Sequence, residues 1–270
     1  MEPQRGGGIP KIIHQIWLGS NPRPDSWMKS VKDFAAKHGY KYMLWGEKNM
    51  KGLGIDSFEG LRKAYNAFRD QLAGKADIIR LLALYKYGGI YIDADSVIMK
   101  PQKFARFLDD NRASVFFGWE NLSAAFTRKL GRIDPYIQKS RRMVANGLIG
   151  AVMGHSFIKR LLDGVGQSVA ENSNEVKLEA WRALGPHYTT KLYNATRREF
   201  PDVHVYPMKY FYPRHWHGIS DPELHTKVKI PGQSMLFQYG YSTNKFNKIF
   251  ARKTRKRSRA FDTNDDENGV

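Results

Sequence analysis

The stretch at residues 75–101 constrains the fold more than any other part of the sequence. It reads KADIIRLLALYKYGGIYIDADSVIMKP: a helical pattern at residues 77–87 meets Gly88-Gly89, and a short apolar strand ends in Asp93-Ala94-Asp95. Charged groups are rarely buried without a partner or a metal. Because residues i and i+2 share one face of an extended chain, both carboxylates are predicted to point at one cation. Mg²⁺ and Mn²⁺ favour carboxylates, water and substrate phosphates, so the stretch predicts a metal–diphosphate site.

Strand and helix patterns alternate along the chain. Predicted strands lie at residues 9–18, 40–45, 90–92, 114–119 and 203–206, and predicted helices at residues 24–37, 58–72, 77–87, 101–110, 155–169 and 186–200. Residues 146–151 are interpreted as a turn into a short strand. The alternation predicts an α/β domain with a largely parallel sheet. In open sheets of this type, ligands bind beyond the carboxyl ends of the strands, where Gly19, Asp93 and Asp95 fall.

Composition limits the class of protein. At 270 residues and 41% hydrophobic content, the chain is long enough for one large domain, and it has no cysteine to form a disulfide or a thiolate metal site. The first residues lack an apolar signal-peptide region, and no window approaches a membrane span. We therefore expect a cytoplasmic protein, with peripheral membrane association left open.

The charge distribution suggests three segments. Residues 1–8 are predicted to be a flexible N-terminus and residues 9–244 the folded domain, followed at residues 245–270 by a basic and then acidic tail predicted to be disordered. Residues 121–145 are polar and basic, and are interpreted as an insertion or flexible loop near the substrate, or as a solvated surface. The net charge of +18 suits an anionic substrate, nucleic acid or a membrane surface.

Three further side chains are candidates for a pocket. Asp77 and Arg80 are three residues apart on one helix face. They form either a surface ion pair or, because their neighbours are apolar, a polar pair facing a pocket, where arginine can bind a phosphate or carboxylate. Trp17 ends the first strand, either as a core residue or as a wall for a nucleobase.

Several segments together resemble a known family. IPKIIHQIWLG, YKYMLW and KADIIRLLALYKYGGIYIDADSV resemble the DxD sugar transferases of glycosyltransferase family 32, which includes initiating α-1,6-mannosyltransferases and capsular polysaccharide transferases. The later segments NGLIGA, ALGPHYTT and VYPMKYFYP are also similar. The resemblance covers roughly residues 9–243, and the central block is its most specific part.

The resemblance implies a GT-A fold, with a mainly parallel mixed sheet flanked by helices. It also implies an enzyme that transfers a sugar, with retention at the anomeric carbon, from a UDP- or GDP-sugar to a glycan or other hydroxyl acceptor. Mn²⁺, or Mg²⁺, is the implied cofactor, and nucleic acid is not expected as a partner. The residues implied are Asp93, Asp95 and Arg80 for catalysis; Trp17, Leu18, Asp77, Arg80, Asp93, Asn146 and Ser242 for substrate binding; and Asp95, Asp93, Gln238 and Ser242 for the metal.

The implied roles are specific. Trp17 would stack on the nucleobase, Asp77 would bind donor sugar hydroxyls, and Arg80 would contact the sugar or diphosphate. Asp93 would bind the ribose and sugar or a metal-bound water, whereas Asp95 would ligate the metal directly.

The chain departs from the family near its C-terminus. Gln238 stands where the family usually has a histidine and Thr243 where it has a tryptophan, which puts the third metal ligand in question, while Ser242 is retained. For retention, Glu120 is the nearest candidate nucleophile, and we favour same-face attack assisted by the leaving group. The alternatives are a metal-dependent nuclease or phosphatase, and a non-catalytic protein that binds anions or nucleic acid.

Overall fold

The computed structural model describes residues 8–122, 127, 142–173 and 178–251. Within them, the β-strands are β1 (Ile12–Ile16), β2 (Lys41–Trp45), β3 (Gly89–Ile92), β4 (Ser96–Ile98), β5 (Val115–Trp119), β6 (Val144–Ala151), β7 (Val203–Tyr206) and β8 (Leu236–Gln238). A six-stranded sheet has the order β2-β1-β3-β6-β5-β7. Its pairs β1–β2, β1–β3 and β5–β7 are parallel, whereas β6 runs antiparallel to β3 and β5. β4 and β8 form a separate antiparallel pair.

Helices flank this sheet. They are α1 (Asp25–Lys37), α2 (Leu61–Ala67), α3 (Leu72–Tyr87), α4 (Pro101–Asp110), α5 (Ser156–Asn172), α6 (Ala180–Ala183), α7 (Pro186–Thr196), α8 (Met208–Phe211) and α9 (Leu224–Lys227). Alternate residues of β3 point to opposite faces. Ile90 and Ile92 join one hydrophobic cluster with Phe104 of α4, and Tyr91 joins another with Phe157 of α5. The predicted α/β class with a mixed central sheet flanked by helices is confirmed.

Some predicted boundaries differ from the structure. α3 begins at Leu72, five residues before the predicted start at residue 77. The helix predicted for residues 58–72 is wrong in its extent, because α2 ends at Ala67 and Arg69 takes a positive φ of 39°. The interpretation of residues 146–151 as a turn into a strand is also wrong, since they lie inside β6.

The start of the predicted tail packs onto the domain. Phe246 and Phe250 are buried, and their rings lie 5.0 and 4.9 Å from the ring of Trp27. The predicted boundary after residue 244 is therefore too early. Residues 1–7 and 252–270, and the basic residues 128–141, lie outside the described residues. No helix in the described ranges is long and apolar enough to cross a membrane.

Gly89 allows β3 to lie close to β1. Its φ is +98°, and a Cβ there would lie 2.6 Å from the carbonyl oxygen of Ile12. Gly39 also has a positive φ, +71°, but a Cβ there would meet nothing within 4 Å.

Gly39→Ala should therefore lower the free energy of unfolding by about 1–2 kcal/mol, the cost of left-handed backbone for an L-residue. Gly89→Ala should lower it by about 1–3 kcal/mol more, because the added methyl group overpacks a backbone contact. Urea denaturation of both variants measures the difference. Equal losses in the two variants would show that the methyl group at residue 89 fits between β1 and β3 without a further loss of stability.

Candidate active site

A cleft of about 440 Å³ lies at the carboxyl ends of β1 and β3. The start of β6 also reaches this edge, because β6 runs antiparallel to β3. Every residue predicted for the site lines this cleft: Trp17, Leu18, Asp77, Arg80, Asp93, Asp95, Asn146, Gln238 and Ser242. The fold thus brings together residues from five separate segments, while the individual roles given to them stay predictions.

Asp93 is held firmly at the end of β3. Its backbone N–H donates to the carbonyl oxygen of Gly147 over 2.8 Å. Its Oδ1 accepts from the Tyr91 hydroxyl at 2.6 Å, and its Oδ2 accepts from Nε2 of Gln238 at 2.7 Å. The amide of Gln15 reaches the Asp93 carbonyl oxygen over 3.2 Å. Both carboxylate oxygens of Asp93 are therefore already engaged by the protein.

Asp95 presents a different carboxylate. The chain turns after Asp93, with the Ser96 N–H donating to the Asp93 carbonyl oxygen at 3.0 Å, so the prediction that the two aspartates share one face of an extended strand is wrong. Oδ2 of Asp95 accepts from the Tyr241 N–H at 2.7 Å. Its Oδ1 is buried and has no hydrogen-bond partner among the described residues. Burial, followed by repulsion from Asp93, raises the pKa of Asp95.

This arrangement fits a divalent cation. A buried carboxylate oxygen without a partner calls for an ion, water or ligand, and a hard cation favours such an oxygen. Gln238 directs its amide nitrogen at Asp93, which leaves its oxygen as the atom able to ligate, and Ser242 is exposed at the cleft. No group of three or more His, Cys, Asp or Glu side chains suited to a metal occurs among the described residues. A cation here would therefore need water or substrate oxygens, as Mg²⁺ sites usually do.

Arg80 joins the acidic residues from the helix side. Its guanidinium lies 3.2 Å from Oδ1 of Asp77 and 3.5 Å from Oδ1 of Asp93, and it donates to the Asn146 carbonyl oxygen at 2.5 Å. It also lies 4.5 Å from the centre of the Tyr91 ring. The Arg80 and Asp77 side chains are only 8% and 9% exposed. The pair is thus a buried one at the cleft and not a surface ion pair.

Asp77 and Asn146 form the neighbouring part of the wall. Burial raises the pKa of Asp77 to about 6, although the charge of Arg80 and a hydrogen bond from Asn146 oppose the rise. Oδ1 of Asn146 is buried without a partner among the described residues. Both side chains are therefore placed to bind hydroxyl groups, the role predicted for Asp77.

Two aromatic rings, those of Trp17 and Tyr241, also line the cleft. Trp17 is half-buried, and its ring lies 5.1 Å from that of Tyr241 at an interplanar angle of 90°. The Tyr241 hydroxyl donates to the Pro22 carbonyl oxygen at 2.5 Å. These contacts hold Tyr241 against the segment after β1. Residues 238–243, whose sequence differs from the family pattern, therefore still form a wall of the cleft.

Sequence reasoning missed several residues of the site. Tyr91 supports Asp93, but its position inside an apolar strand gave no polar signal. Gly147 was assigned to a turn, whereas a Cβ there would lie 2.8 Å from Oδ2 of Asp93 and 2.9 Å from Nε2 of Gln238. Trp216 lines the cleft as well, but its place between His215 and His217 is equally compatible with a surface position and gives no specific signal. Glu120, considered only as a nucleophile, lines the cleft beside Trp216.

Comparisons with known proteins show which part of the sequence has relatives. Residues 24–113 match the family model described as "Glycosyltransferase sugar-binding region containing DXD motif". The chain is 25% identical over 230 residues, 83% of its length, to inositol phosphoceramide mannosyltransferase 3 of Schizosaccharomyces pombe. It is 36% identical over 94 residues, 32% of its length, to mannosyl phosphorylinositol ceramide synthase CSH1 of Saccharomyces cerevisiae. The chain spans 53% and 23% of the lengths of these relatives.

A similar solved structure is the PaToxG glycosyltransferase, at 17% identity and a TM-score of 0.49, covering 72% of this chain and 70% of that one. The α/β fold assignment rests on the order and the directions of the strands in the six-stranded sheet. The family model spans Asp77, Arg80, Asp93 and Asp95, and its match confirms the predicted resemblance to DxD glycosyltransferases. Residues 24–113, a third of the chain, are therefore similar to the glycosyltransferase sugar-binding regions that contain the DXD motif.

Proposed function

We propose that this chain is a metal-dependent retaining glycosyltransferase that moves a sugar from a UDP- or GDP-sugar to a hydroxyl acceptor. The observation that carries the proposal is the buried Oδ1 of Asp95, which has no hydrogen-bond partner in the part of the chain that the structure describes. It lies in a cleft shared with Asp77, Arg80 and Asp93. Mn²⁺ or Mg²⁺ held by Asp95, with Gln238 and Ser242 as further candidate ligands, would neutralise negative charge on a leaving diphosphate.

Side chains of the cleft would bind the other parts of the donor. Trp17 offers a half-buried ring in the lining of the cleft, which suits stacking on a nucleobase. Asp77 and Asn146 are placed to bind sugar hydroxyls. Arg80 fixes the orientation of Asp77 and Asp93 by ion pairs, and its charge favours the developing negative charge of the diphosphate.

We propose same-face attack as the route to retention. Glu120 is the carboxyl group, beyond the three aspartates, that lines the described part of the cleft. Burial raises its pKa to about 7, and its Oε1 accepts from Nε1 of Trp216 at 2.9 Å. The hydrogen bond from Trp216 engages one carboxylate oxygen of Glu120 and burial disfavours its charged form, so we favour the route without a covalent intermediate.

A binding experiment tests the function. Wild-type chain is heated with UDP- and GDP-sugars in the presence of Mn²⁺ or EDTA, and nucleotide-sugar hydrolysis is measured in parallel. We expect metal-dependent stabilisation by at least one nucleotide sugar, about 2.7 kcal/mol at 100 times its dissociation constant. The corresponding nucleoside monophosphate, which lacks the second phosphate, should stabilise less. Absence of both stabilisation and hydrolysis with every nucleotide sugar would refute the proposal.

A further inference from the structure

The cleft is lined by a further carboxyl group besides those of the aspartates. Glu120 follows β5 directly, and its N–H donates to the Met143 carbonyl oxygen at 2.8 Å. Its Oε1 accepts from Trp216, as described above, but its Oε2 is buried with no hydrogen-bond partner in the described part of the chain. An unsatisfied buried oxygen of this kind costs free energy unless a ligand or water fills its place.

Contacts with residues 239–244 hold the loop that carries Trp216, the hydrogen-bond donor to Glu120. Trp216 packs on Gly240, where a Cβ would lie 3.0 Å from Cε3 of the indole. Nδ2 of Asn244 donates to the carbonyl oxygens of Trp216 and Tyr239 at 2.5 and 2.7 Å. The loop that carries Trp216 is therefore attached to the same segment that lines the predicted metal site.

The surroundings of Glu120 differ from those of the aspartates. Met143, whose carbonyl holds Glu120, packs with Trp181 in a small hydrophobic cluster, and both side chains line the cleft with Trp216 and Pro186. Charged groups are concentrated at Asp77, Arg80, Asp93 and Asp95. Sites for small molecules typically combine apolar and aromatic walls with a few placed polar groups, and the Glu120 side has this composition.

We propose that Glu120, Trp216 and Trp181 form the acceptor subsite, which binds a polyhydroxylated ring through aromatic contact and a hydrogen bond from a ring hydroxyl to Oε2 of Glu120. The ring is either a sugar or a cyclitol, because both present hydroxyl groups and C–H faces. The inference rests on the proposed function, since it gives the hydroxyl acceptor its place beside the donor.

The test separates acceptor binding from donor chemistry. Wild type and Glu120→Gln are given Mn²⁺, a nucleotide sugar that wild type hydrolyses, and increasing methyl α-mannoside or myo-inositol. The glutamine can still accept from Trp216, but it directs a donor into the cleft in place of an acceptor. We expect Glu120→Gln to lower kcat/KM for the acceptor about tenfold, and to lower the ratio of transfer to hydrolysis. Trp216→Phe should shift that ratio in the same direction, by less.

Glu171→Gln is the matched control, because Glu171 is exposed on α5 and bound to Gln167; its transfer-to-hydrolysis ratio should equal that of wild type. An unchanged acceptor kcat/KM in Glu120→Gln would overturn the inference, as would an equal fall in transfer and hydrolysis, which would place Glu120 at the donor.

Binding of each ring compound to donor-free protein is measured by saturation-transfer NMR. Binding that Glu120→Gln weakens would support the subsite even if no nucleotide sugar reacts, and absence of wild-type binding together with absence of transfer would refute it.

Discussion

Asp95→Asn is expected to lower metal-dependent turnover of the nucleotide sugar by about 10²–10³-fold, the usual effect of removing a preorganised electrostatic contact to a developing charge. The amide keeps the shape of the side chain and can still accept from the Tyr241 N–H. It loses the negative charge that a divalent cation needs, and Oδ1 is the buried oxygen with no other partner among the described residues. Initial rates of nucleotide-sugar hydrolysis across a Mn²⁺ titration measure the loss.

Asp163→Asn provides the matched control for this substitution. Asp163 pairs with Lys159 on α5 and is 44% exposed, so its loss should leave hydrolysis unchanged. Thermal unfolding of Asp95→Asn should remain cooperative, with a midpoint at or above that of wild type, because a repulsive buried charge is removed. Wild-type turnover in a folded Asp95→Asn would remove Asp95 from the metal site.

Arg80→Met should destabilise the fold by about 3–5 kcal/mol, the range for breaking a buried ion pair from one side. Methionine fills much of the volume, but Asp77 loses its cationic partner and Asp93 its nearest positive charge. The pKa of Asp77, already about 6 with Arg80 present, should then rise further above its value in the unfolded chain. Below about pH 6 Asp77 takes up a proton on folding in both proteins, so the deficit relative to wild type should grow as the pH rises above about 6, where only the variant keeps that proton. Urea denaturation at several pH values measures it.

Arg62→Met is the control for Arg80→Met. Arg62 forms two hydrogen bonds with Asp56, but both side chains are more than half exposed, and such pairs contribute little. Its unfolding midpoint should therefore stay near that of wild type. If Arg80→Met were equally stable at pH 8 while activity fell, Arg80 would act on the substrate alone and its supporting role for Asp77 and Asp93 would be wrong.

The order of elements could be predicted because local patterns specify it. The helical run of α3, the Gly88-Gly89 break and the apolar strand β3 each have a local cause, and the backbone at Gly88-Gly89 needs positive φ at both residues. The early start of α3 was missed because Leu72-Ala73-Gly74 carries little periodic signal. The antiparallel direction of β6 was also missed, since it depends on pairing with β3 and β5 across the sheet.

The residues of the site were only partly predictable from the sequence. Asp77, Arg80, Asp93 and Asp95 lie close together in sequence, so one local motif indicated them. The different contacts of the two aspartates were not predictable, because Gln238 binds Asp93 and Tyr241 binds Asp95 from a segment about 145 residues further along the chain. The Glu120–Trp216 hydrogen bond likewise joins residues far apart in the chain, and no sequence motif encodes it.

The small β4–β8 pair has a consequence for biosynthesis. In this pair Ser96 lies opposite Gln238. During synthesis β4 therefore remains unpaired until β8, about 140 residues further along the chain, has been translated. Contacts of such long sequence separation are slow to form because the intervening chain must first be ordered. A nascent chain that has emerged only as far as β7 can hold the central sheet, yet Asp95 still lacks the Tyr241 N–H. We therefore expect the proposed binding of a sugar donor to appear last during synthesis, after the sheet is already protected from proteolysis.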